Sequence, residues 1–117
     1  MGVKLERAEV LIEDGETVST TVVDMRERYL VGIYIPSGFE GTALTFQAAH
    51  ASGGTFLAVY EDAGNAVSFT VAQSRYVSLG SSAGARAIES VPFLKLVAGT
   101  QQTGDITLIL LTVPRVA

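Results

Sequence analysis

Residues able to do chemistry are few in this chain, and they do not converge. His50 is the only histidine of the 117 residues, and it stands between Ala49 and Ala51. A hydrolytic triad needs a base beside a serine nucleophile and a carboxylate. No G-x-S-x-G elbow presents such a serine. Glu61, Asp62 and Asn65 form an oxygen-rich cluster, as do Glu13, Asp14 and Glu16. Calcium takes six to eight oxygen ligands in a defined loop spacing that neither cluster has. Both read as turns in which Asp and Asn bond nearby backbone. Gly53-Gly54 lacks the trailing Lys-Ser/Thr of a phosphate loop and runs straight into Thr55-Phe56-Leu57. The chain has no cysteine, which excludes disulfides, thiolate nucleophiles and zinc–sulfur sites. We therefore expect no catalytic residue, no metal and no cofactor: a protein that binds rather than reacts.

The formal net charge is −4, and the eight Lys and Arg are scattered singly. Nucleic acid, which wants a basic face, is not an expected partner. Eight of the twelve carboxylates fall in residues 1–40, so any electrostatic steering there favours a basic partner. No run approaches the roughly 20 apolar residues of a membrane span. The opening Met1-Gly2-Val3-Lys4-Leu5-Glu6-Arg7 carries charge where a secretory signal would turn apolar, so neither a membrane nor a signal peptide is expected.

The elements that position these residues read as strands. Runs of four to nine residues rich in Val, Ile, Thr, Phe and Tyr are punctuated by Gly, Asp, Asn or Ser. The runs are 4–12, 17–23, 29–35, 43–49, 55–61, 66–71, 76–79, 93–98 and 105–113. Alternation puts Leu44, Phe46 and Ala48 on one side of their strand and Val67, Phe69 and Val71 on one side of theirs. In 105–113, Ile106, Leu108, Leu110 and Thr112 form one face, and Ile109, Leu111 and Val113 make the other apolar too. In 29–35, Leu30 opposes Val31, Ile33 and Ile35. Strands with two apolar faces sit centrally, or turn one face toward another subunit. Most of the aromatic residues follow the alternation and are expected in the core. The stretch 80–91 (GSSAGARAIESV) is the longest loop, with room for one helical turn. The expected fold is a single all-β domain over 13–117, an antiparallel β-sandwich or jelly roll of about eight to nine strands. Residues 1–12 are either its first strand or an arm that pairs with a neighbouring chain through Val3, Leu5, Ala8, Val10 and Ile12. Phe39, in the Pro-Ser-Gly-Phe-Glu-Gly connection, either folds back under the sheet or anchors a partner.

The order of motifs carries a resemblance. Residues 17–23, LVGIYIPSGFEGTALTFQAA (30–49), GGTFLAVYEDAGN (53–65), SRYVSLG (74–80) and FLKLVAGTQQTGDITLILLTV (93–113) resemble small β-sandwich virion proteins of tailed bacteriophages, of the head-decoration or head-fibre type. The resemblance spans about residues 17–113. It implies a non-enzymatic protein made in the bacterial cytoplasm, docked in many copies or as a homo-oligomer on the major capsid protein at the outer surface of the head. The alternative is a tail- or fibre-associated module that recognises glycan or host surface through Phe39, Tyr60 and the 80–91 loop. The contact residues expected are Val3, Leu5, Arg7, Arg26, Arg28, Phe39, Tyr60 and Arg86.

Overall fold

A computed structural model describes residues 4–80 and 82–115. Among them run nine strands: β1 Glu6–Ile12, β2 Val23–Asp24, β3 Arg28–Ile35, β4 Ala43–Ala49, β5 Leu57–Ala58, β6 Ser68–Thr70, β7 Arg75–Ser78, β8 Phe93–Ala98 and β9 Ile106–Pro114. One helix, α1, spans Ala83–Ile88. The two strands with apolar residues on both faces, β3 and β9, lie side by side in the middle of the first sheet, whose order is β1-β9-β3-β7. The second sheet runs β2-β8-β4-β5, and β6 also pairs with β4. Because β5 meets Gln47–Ala48 and β6 meets Ala43–Thr45, the two share one strand position on the same edge. Counted so, eight positions are arranged 1-8-3-6 and 2-7-4-5, all antiparallel. That is the jelly-roll order, a β-sandwich whose chain repeatedly crosses between sheets.

The core lies between the sheets. Val10, Ile12, Ile33, Ile35, Leu108 and Leu110 of the first sheet meet Leu44, Phe46, Leu94, Leu96 and Ala98 of the second, all at most 1% exposed. Burying each large side chain contributes roughly 1.5–3 kcal/mol. Phe46 and Phe69 meet edge to face at 5.7 Å, the arrangement that ring quadrupoles favour.

Four local expectations are corrected by this packing. Leu30 does not oppose Ile33 and Ile35: all three are buried. The register with β9 shifts between Leu30 and Gly32, a β-bulge at Val31 that flips the alternation by one residue. Residues 17–23 do not form one strand. Val18 makes a single bridge to Val97, and only Val23–Asp24 forms a ladder with β8. The break is at Ser19, whose buried hydroxyl accepts from Leu96 N and donates to Thr21 O. Thr20 and Thr21 then turn to β1, where Thr20 N donates to Leu11 O and Leu11 N donates to Thr21 Oγ1. In 55–61 only Leu57–Ala58 is regular, with Tyr60 bridging Ala66. Finally, where 80–91 had room for one helical turn, it holds a six-residue helix. Ser82 caps it by accepting from Ala85 N at 3.2 Å, and Ala85 and Ile88 bury themselves in the core.

Candidate interaction surface

His50 directly follows β4, in an open depression of about 570 Å³ with Val22, Asp24, Arg26, Ala51, Ser52 and Phe93. A histidine, a serine and an aspartate thus share one depression. Among the described residues, however, no hydrogen bond links His50 to either. Asp24 is engaged elsewhere: Arg26 donates to its two oxygens at 3.0 and 2.8 Å. These bonds hold the Asp24 carboxyl down at about 2, well below its ordinary 3.8. The Arg26 guanidinium in turn lies 5.0 Å from the centre of the Phe93 ring, a cation–π contact. No group of His, Cys, Asp and Glu able to hold a metal forms among the described residues. Glu61 and Asn65 close a turn on each other, Asn65 Nδ2 donating to Glu61 Oε1 at 3.0 Å.

The contact residues expected from the sequence fall in separate places. Val3 lies outside the described residues. Leu5, just before β1, and Arg7, on it, are exposed. Arg26 and Arg28 share one end of the sandwich, each lining a depression that also includes Asp24. Tyr60 and Arg86 are brought together, lining a groove of about 480 Å³ with Glu61, Asp62 and Ser90. Phe39 is no contact residue. It is 2% exposed, because Phe39 N bonds back to Pro36 O and swings the ring into the core. Gln102 locks that turn. It donates from Nε2 to Glu40 O and Thr100 O, each at 2.8 Å, and accepts at Oε1 from Glu40 N. Of the arm's proposed contact residues, Val10 and Ile12 are spent on the core and Ala8 packs against it, since β1 pairs with the chain's own β9.

The surface that the aromatic assignment missed is the outer face of the first sheet. Tyr34 and Tyr76 stand opposite each other on β3 and β7, 52% and 50% exposed, rather than in the core. Tyr34 is also opposite Ile109, and Leu111 lies between Arg7 and Gly32. Half-buried Ile109, Leu111 and Val113 therefore form an apolar row beside the tyrosines. Gly32 is there for space: a Cβ on it would overlap the phenol ring of Tyr76, so that ring lies across the glycine, against the sheet. The signal was present in the sequence. With Ile33 and Ile35 facing in, alternation sends Tyr34 out, and the second apolar face of 105–113 is the row it joins.

This architecture has a counterpart among solved proteins. The chain shares its fold with the crystal structure of the SPBc2 prophage-derived protein YomS. The likeness covers 97% of each chain at a TM-score of 0.55, with 13% of residues identical. At that identity the fold is what the two have in common. No protein-family model and no curated protein matches the chain.

Proposed function

We propose that this chain is a structural protein of a bacteriophage particle, a decoration or head-stabilising protein that adheres to the major capsid protein lattice without catalysis. The observation that carries the reading is the outer face of the first sheet, where exposed Tyr34 and Tyr76 lie beside the row of Ile109, Leu111 and Val113. Tyrosine is enriched at protein interfaces because it couples a large apolar area to a hydrogen-bonding tip. A broad face suits a protein lattice better than it suits an enclosed small molecule. The fold shared with a prophage-derived protein adds phage context, and jelly rolls recur in viral capsid domains. Many modest contacts, one per copy, stabilise a shell through their number.

The test is co-sedimentation with phage heads assembled without this protein. Wild type is expected to pellet with the heads and raise their thermal disruption temperature. The doubly substituted Tyr34→Ala/Tyr76→Ala protein is expected to bind at least tenfold more weakly. Indifference of the wild type to heads, together with hits on a glycan array, would move the chain to the tail- or fibre-module reading. That reading has already lost Phe39 as its anchor, since the ring is in the core.

A further inference from the structure

The β1 edge of the first sheet is self-complementary, and we infer that β1 pairs with β1 of a second copy across a two-fold axis centred on Ala8. Leu11 N donates to Thr21 Oγ1 and Leu11 O accepts from Thr20 N. The Leu11 amide thus points away from β9. The β1–β9 register is unbroken from Glu6 to Ile12, so strand alternation turns the main-chain groups of Arg7 and Glu9 the same way. Outside the β1–β9 ladder, no main-chain hydrogen bond among the described residues involves Arg7 or Glu9. Both side chains are exposed, and within one copy they pair with each other at 2.7 Å. Unpaired edge groups of this kind are a template for another strand.

Charge selects the register. A symmetric antiparallel pair centred on Arg7 sets that arginine against its own copy, and one centred on Glu9 does the same with the glutamate. Like charges directly opposite are destabilising. A pair centred on Glu6 leaves Arg7 facing Leu5, with no charge to meet. Centring on Ala8 instead places Arg7 opposite Glu9 of the second copy, twice over. Each opposed pair exchanges two main-chain hydrogen bonds, so the seam is built from Arg7–Glu9 segments. Beyond Glu9 the edge is closed by Thr20 and Thr21 at Leu11, which keeps the seam short and blocks longer registers. Exposed Leu5 then falls beside the Thr20–Thr21 segment of the second copy. Alternating signs also turn away strands of uniform charge, so the edge accepts its own kind.

The geometry has a corollary. Strands joined edge to edge across an axis perpendicular to the sheet continue it into the second copy. Both Tyr34–Tyr76 faces then point to the same side, and a dimer would grip a lattice at two points. The dimer itself is independent of the capsid reading.

Sedimentation equilibrium of the free protein tests the inference. Wild type is expected to show a monomer–dimer equilibrium within the range up to about 1 mM, in near-physiological salt. Arg7→Glu alone and Glu9→Arg alone should each raise the dimer dissociation constant at least about tenfold, since each sets like charges opposite. An equimolar mixture of these two variants should restore dimerisation, because every opposed pair is again of opposite sign. Circular dichroism and the melting temperature confirm that both exposed substitutions leave the fold intact. A wild type that stays monomeric, variants that associate as well as wild type, or a mixture no tighter than its components each overturns the β1 seam. None of these outcomes touches the Tyr34–Tyr76 test with phage heads, so either claim can fail alone.

Discussion

Replacing Gln102 by alanine tests how the loop ends of the sandwich are held. The side chain is 2% exposed and makes three hydrogen bonds to main chain: two donated to Glu40 O and Thr100 O, one accepted from Glu40 N. Glu40 extends the clamp, since its own Oε1 accepts from Thr103 N at 2.9 Å. Truncation strands three backbone groups in partly buried surroundings. At about 1 kcal/mol net for each bond, the loss is about 3 kcal/mol. For a domain of this size that corresponds to about 12 °C in Tm, at roughly 4 °C per kcal/mol. The neighbouring Gln101 is exposed, so Gln101→Ala should stay within about 0.5 kcal/mol of wild type. Gln102→Glu keeps the shape but aims a carboxylate oxygen at two carbonyls. It should be at least as destabilised at pH 7 and regain stability as the pH falls and the carboxyl protonates. Urea unfolding and thermal melts provide the readout. If Gln102→Ala and Gln101→Ala unfold within 1 kcal/mol of each other, the clamp is not what holds the 36–41 turn against the 99–105 loop.

Two further outcomes follow from other contacts. Gly32→Ala should lift the Tyr76 ring off the sheet, changing the tyrosine near-ultraviolet dichroism and weakening head binding to the level of Tyr76→Ala, while stability moves by less than about 1 kcal/mol; an unchanged tyrosine signal refutes it. The Asp24 carboxyl is held at about 2 by its hydrogen bonds from Arg26, so the ion pair stabilises the fold fully above the unfolded value of 3.8 and loses that contribution as the pH falls toward 2. The pair is solvent-exposed, so water and salt screen it and its contribution is small. The urea midpoints of wild type and Asp24→Asn should therefore differ slightly at pH 6 and converge as the pH falls through about 2, and a gap that ignores pH would refute the ion-pair assignment.

Much of the fold was legible because two-fold periodicity is a local signal. Strands β4 and β8 begin and end where the alternation and flanking turn residues place them, and β3 and β9 are central as expected, although the bulge puts Leu30, Ile33 and Ile35 of β3 on one face. What escaped were features set by partners far along the chain. The bulge at Val31 depends on register with β9, and the kink at Ser19 depends on a bond to Leu96. The helix is longer than the single turn expected, because its serine cap, Ser82, reads as a breaker when taken alone. On the surface, the residue-by-residue choice of Arg and aromatic contacts scattered over separate regions and included the core residue Phe39. On the tyrosine face, alternation alone sends Tyr34 outward beside the apolar row of β9, but that Tyr76 joins it required knowing that β3 and β7 are neighbours, which no local pattern supplies.

The pairing of β1 with β9 also governs how this protein is born. Glu6 sits opposite Thr112 and Ile12 opposite Ile106. A ribosome adding 5–20 residues per second releases the later partner on the order of 5–20 s after the earlier one. Until then Val10 and Ile12 have no sheet to join, and β3 lacks the neighbour that fills the centre of its own. Folding must therefore wait for translation to reach the last strand, and a chain cut short before Ile106 would leave two orphaned strands exposed to aggregation rather than a smaller working domain.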